Sequence, residues 1–81
     1  AKKQSLVRPQ DQALWEALRE LRTEIAKENG MPPYVIFHDT TLQEMCQTRP
    51  MDMAAMQRIS GVGAQKLERY GQPFLAVIQQ G

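Results

Sequence analysis

Leu14, Leu18, Leu21 and Ile25 recur at spacings of four, three and four, a narrow apolar stripe of helical period. Trp15 and Ala17 widen it, and Glu16, Glu20, Thr23 and Lys27 fall on the opposite face. Pro9 suits a first helical turn because it has no N–H to waste there. Gly30 is a plausible stop, and Pro32-Pro33 forbids continuation, so the first helix is expected over about 9–29. Residues 31–38 form a short apolar connector. A strand there would have no second strand to pair with, so the pattern predicts an irregular or 3₁₀ segment pinned by Val35 and Phe37.

Asp39-Thr40-Thr41 supplies capping oxygens for a second helix. Thr41 with Glu44, or Thr40 with Gln43, has the spacing of a capping box. Leu42, Met45 and Cys46 give that helix an apolar face, and Arg49-Pro50 ends it. Asp52 can cap a third helix carrying Met53, Met56 and Ile59. The run Ser60-Gly61-Val62-Gly63 is a tight turn, and a fourth helix covers 64–70 with Leu67 inward. Gly71 fits a left-handed stop and Pro73 the first turn of a fifth helix showing Phe74, Leu75, Val77 and Ile78. The expected fold is all-α, a compact five-helix bundle at residues 8–81, with residues 1–7 read as the tail of a linker.

Composition agrees with a small soluble domain: 81 residues, 42% hydrophobic and 23% charged. No apolar run approaches the roughly 18–20 residues of a membrane span, so no membrane partner is expected. One cysteine, Cys46, and one histidine, His38, fall short of a zinc site. With no internal disulfide available, the expected setting is reducing and cytoplasmic. The acids are scattered, with no cluster to hold Mg²⁺, and no Walker loop is present. Ser60, His38 and Cys46 have no orienting partner at a recognisable spacing. The chain reads as a non-enzyme without a metal or cofactor of its own.

The net charge is +1, so any nucleic-acid binding must come from local arrangement. The run Ile59-Ser60-Gly61-Val62-Gly63-Ala64-Gln65-Lys66 has the helix-hairpin-helix form. Gly61 and Gly63 would let backbone N–H groups approach a phosphate at a helix N-terminus, and Lys66 would add a full charge. The same glycines can equally make only a tight corner between helices. Arg58, Lys66 and Arg69 surround this turn, and Lys66 and Arg69 share a helix face. They can equally be an ordinary solvated face. Tyr34 lies in a proline-stiffened loop just past the first helix, where Lys27 projects. An exposed, rigidly held ring near cations is a stacking platform for an unpaired base, whereas a buried ring would be a packing residue.

Three segments together resemble the HRDC domain, a module named for helicases and ribonuclease D: Pro32-Pro33-Tyr34-Val35-Ile36-Phe37-His38-Asp39-Thr40-Thr41-Leu42, Arg49-Pro50, and Ile59-Ser60-Gly61-Val62-Gly63-Ala64-Gln65-Lys66-Leu67-Glu68-Arg69-Tyr70-Gly71. The resemblance is greatest to the RecQ-type bacterial helicases and spans about residues 8–79. It implies a five-helix bundle with a turn like that of helix-hairpin-helix and SAM domains. It implies an auxiliary domain of an ATP-dependent DNA helicase acting in DNA repair and recombination. Such a domain would bind single-stranded or forked DNA through Tyr34, Lys27, Lys66, Arg58, Arg69, Gly61 and Gly63. ATP, Mg²⁺ and any Zn²⁺ would belong to the parent's other domains. The implied state is a monomer, cytoplasmic and nucleoid-associated, in contact with those other domains. Two alternatives stand beside this. One is a docking module presenting an apolar patch around Met51, Met53 and Met56. The other is an RNA-positioning domain of a ribonuclease D-like exonuclease.

Overall fold

The structure, a computed structural model, describes residues 9–80. Helix α1 spans Gln12–Asn29 and is preceded by a 3₁₀ turn, Pro9–Asp11. It ends at Gly30, which takes φ +64. The N–H groups of Gly30 and Met31 donate to the carbonyls of Lys27 and Ala26, the paired bonds of a Schellman stop. The fully buried positions of α1 are Leu14, Leu18, Arg22 and Ala26, each four residues apart, while Leu21 and Ile25 lie at the margin of the core. An arginine thus occupies a position on the inward stripe.

The connector contains one turn of α-helix, α2 (Pro33–Ile36), with proline at its start. Ile36 and Phe37 are both fully buried, and Val35 is 39% exposed. The expected pin at Val35 is therefore corrected to Ile36. In an extended connector Val35 and Phe37 would share a face, whereas a helical turn rotates Ile36 inward.

Helix α3 (Asp39–Thr48) begins two or three residues earlier than the capping boxes at Thr40 and Thr41 require. Its N-cap is His38, with no side-chain cap bond. Thr41 is buried instead, and its hydroxyl donates to the carbonyl of Ser60 at 3.0 Å. A tertiary acceptor has taken the hydroxyl from the local cap. Arg49 ends α3 in the left-handed region at φ +46, its N–H donating to the Met45 carbonyl at 2.8 Å. Its guanidinium lies 3.0 Å from the buried Asp11 carboxylate, which joins the two ends of the bundle's first half.

Helix α4 (Met53–Gln57) is capped by Asp52, whose carboxylate accepts from the Ala55 N–H at 2.8 Å. A turn over 58–63 buries Ile59 and Val62. Gly61 within it takes φ +91, and a Cβ there would overlap the Thr41 hydroxyl. Helix α5 then runs unbroken over 64–80, as α-helix at Ala64–Lys66, a π-helical turn at Leu67–Gly71 and α-helix again at Gln72–Gln80. The expected stop at Gly71 does not occur. Gly71 is buried and right-handed, and a Cβ on it would press on Leu67 and Met53. The widened turn carries the helix past Pro73, which has no N–H and whose ring would clash with the carbonyl four residues back.

The fold is an all-α bundle of five helices, divided along the chain differently from the expectation. The connector supplies one helix, and the two C-terminal segments are a single one. Phe37 and Phe74 meet edge to face, with ring centroids 5.0 Å apart, at the centre of a core that α1, α3, α4 and α5 complete. Among the described residues no helix is long and apolar enough to cross a membrane.

Candidate nucleic-acid interface

Tyr34 stands on α2 with 60% of its surface exposed. The two residues that follow Val35 are sunk in the core, so the turn has little freedom to move its ring. On one side of the turn, Val35 meets α5 across a groove lined by Met31, Gln65, Lys66, Arg69 and Tyr70. Lys66 and Arg69 thus reach the flank of the turn that carries Tyr34. Lys66 is half-buried and Arg69 is exposed.

The other sequence candidates lie elsewhere. Lys27 lines a groove along α1 with Glu16, Glu20, Glu24 and Arg19, which meets the opening beside Tyr34 at Arg22 and Pro33. Arg58 lies in a groove with Glu44, Thr48, Pro50, Ala55 and Ile59, which shares no residue with the Tyr34 side. Gly61 and Gly63 separate physically. The backbone of Gly61 and its contact with Thr41 require glycine for the fold. Gly63 has an ordinary φ of −81, and a Cβ there would meet nothing. Packing therefore gives no reason for glycine at 63. The N–H groups of the first turn of α5, beside Gly63, have no acceptor four residues back in the helix, and no side chain caps that end.

Three further residues adjoin Tyr34 that the sequence did not single out for binding. Arg22, only 8% exposed, donates from Nη1 to the Phe37 carbonyl at 3.0 Å and meets the Asp39 carboxylate at 2.7 Å. Its Nε is buried without a partner. The ring of His38 stacks loosely on that of Tyr34, with centroids 6.2 Å apart. The signal for Arg22 was present: it stands four residues from both Leu18 and Ala26. His38 and Asp39 stand only four and five positions after Tyr34, but with the connector read as irregular their side of the turn was not legible.

Cys46 is fully buried, and its burial, reinforced by the Asp11 carboxylate, raises the thiol from 9.0 to about 11. It is a packing residue. The methionine patch does not form: Met51 is 57% exposed, but Met53 is half-buried and Met56 fully buried. Among the described residues no three His, Cys, Asp or Glu side chains stand close enough together to hold a metal ion.

Comparison with known proteins places this geometry. The profile of the HRDC domain matches residues 11–78. The chain is 51% identical over 70 residues to the ATP-dependent DNA helicase RecQ of Haemophilus influenzae, covering 86% of this chain and 11% of that protein. It is 48% identical over 66 residues to RecQ of Bacillus subtilis, covering 82% of this chain and again 11% of the helicase. A solved structure, the third HRDC domain of D. radiodurans RecQ, superposes with a TM-score of 0.83 at 36% identity, covering 86% of this chain and 92% of that one. The chain spans only about a tenth of the length of these helicases, and it belongs to the HRDC domain family.

Proposed function

We propose that this domain is an auxiliary nucleic-acid-binding module of a RecQ-type ATP-dependent DNA helicase. It engages single-stranded or partly single-stranded DNA and helps direct the helicase to its substrate, while separate domains hydrolyse ATP and unwind. The observation that carries this reading is the placement of Tyr34. A large ring stands 60% exposed on a one-turn helix whose next residues are locked in the core, and the adjoining groove holds Lys66 and Arg69. An exposed aromatic is costly to keep ordered at a surface unless something flat covers it. A base does so irrespective of its identity, and the neighbouring cations take the phosphates on either side. Arg58 has no part in this contact, because it faces a separate groove.

Titration of a fluorescent single-stranded oligonucleotide against the wild type and Tyr34→Ala tests the reading. Tyr34→Ala is expected to lose about 1–3 kcal/mol of binding free energy. With two cations engaged, log K is expected to fall with log salt at a slope of about −1.4. Equal affinity of the two proteins, or a flat salt response, would overturn it.

A further inference from the structure

Tyr34 itself lines a different opening from the one that holds Lys66. This groove, of ≈ 490 Å³, is lined by Arg22, Pro33, Tyr34, His38, Asp39 and Thr40. The rings of Tyr34 and His38 both line it, inclined by only 29° with centroids 6.2 Å apart. At that separation the two rings are neighbours in one offset pair, so together they present a continuous aromatic surface to the groove. The backbone between them is fixed because Ile36 and Phe37 are fully buried, and His38 spends no side-chain bond on capping α3.

The edge of the groove has its own chemistry. Asp39 is anchored through Oδ1 to Arg22, whose side chain is 10% exposed, while its own side chain remains 66% exposed. The carboxylate is thus oriented from inside and open from outside. An ionised carboxylate only accepts hydrogen bonds. What suits it is the amine edge of a base: N4 of cytosine, N6 of adenine, or the N1 and N2 donors of guanine. Thymine carries a carbonyl where cytosine carries its amine, and its one donor, N3–H, is flanked by two carbonyl oxygens that repel a carboxylate.

We propose that the Tyr34–His38–Asp39 groove is a pocket for one unpaired base carrying an exocyclic amine, with His38 extending the stacking surface of Tyr34 and Asp39 as the acceptor that reads the base edge. This rests on the reading of Tyr34 as a stacking platform and adds base selectivity to it. Arg22 is the positioning residue that aims Asp39.

The test compares oligodeoxycytidine with oligothymidine strands of equal length at neutral pH, titrated against the whole chain. The two pyrimidines stack over similar areas, so a preference reports the edge. Wild type is expected to bind the cytidine strand about fivefold more tightly. Asp39→Asn is expected to abolish that preference, with a melting curve confirming that the variant is folded. His38→Ala is expected to weaken both strands about fivefold and His38→Phe to restore them. Equal wild-type affinity for the two strands overturns the pocket, as does a preference that persists in Asp39→Asn or an unchanged affinity in His38→Ala. Tyr34→Ala run in parallel separates the two claims. If it weakens both strands while wild type shows no preference, the pocket alone fails. If it weakens neither, the stacking platform itself fails.

Discussion

Burying a guanidinium inside a helical stripe is unfavourable unless its donors find acceptors, and Arg22 finds only some: a carbonyl, an exposed carboxylate, and nothing for Nε. Its fold contribution is therefore modest. Arg22→Met fills similar space without the orphaned donor, and is expected to cost no more than about 2 kcal/mol in urea unfolding, because a hydrophobic replacement of a buried ion often comes near neutral. Arg22→Ala, which leaves a cavity, should cost more. Both should weaken oligonucleotide binding in wild type, and neither should do so further in a Tyr34→Ala background, since Arg22 acts through that aromatic corner. Cys46 makes a prediction of the opposite kind. Its thiol is held up to about 11 in the folded chain against 9.0 unfolded, chiefly by burial. The folded state therefore retains a proton that the unfolded state releases. This contribution is fully present below pH 9 and is lost as pH rises from 9 to 11. A Cys46→Ala variant, less stable at neutral pH, should show a smaller decline across that window in denaturant titrations.

At the scale of the element, the glycines of the turn before α5 separate a folding role from a binding one. Gly61→Ala must hold a side chain at φ +91 against the Thr41 hydroxyl, and is expected to lose at least about 2 kcal/mol of stability. Gly63→Ala is compatible with its backbone and meets open space, so its melting temperature should hold or rise slightly. Oligonucleotide affinity should still fall if a phosphate sits against the first turn of α5; unchanged affinity would take Gly63 out of the interface. The elements also show what could be read in advance. The stripe of α1, the stop at Gly30 and the Asp52 cap were legible because each is decided by residues within one or two turns. The start of α3 was not, because Thr41 is claimed by Ser60, nineteen positions away. The stop expected at Gly71 failed for a similar reason. Packing against Met53 and Leu67 explains that glycine, and a π turn accommodates Pro73 without a break.

Across the whole molecule, the sequence pointed to an aromatic and a set of cations, and the fold sorted them. Lys66 and Arg69 adjoin the turn of Tyr34, Lys27 lines a groove that meets the Tyr34 opening at Arg22 and Pro33, and Arg58 lies apart. That sorting depends on long-range packing, to which spacing along the chain is blind. It also explains why a net charge of +1 is compatible with a basic contact: no acid lines the groove that holds Lys66 and Arg69. Thr41 lies two positions beyond Asp39, and its bond to Ser60 ties the start of α3 to the approach to α5. One end of that link carries the ring and carboxylate, and the other leads into Lys66 and Arg69. The gap between where a base would rest and where its phosphates would be gripped is consequently set by an interior strut rather than by surface loops. A passing strand must adjust its own sugar puckers and torsions to that fixed gauge, so flexible unpaired DNA can comply where a stiff duplex cannot.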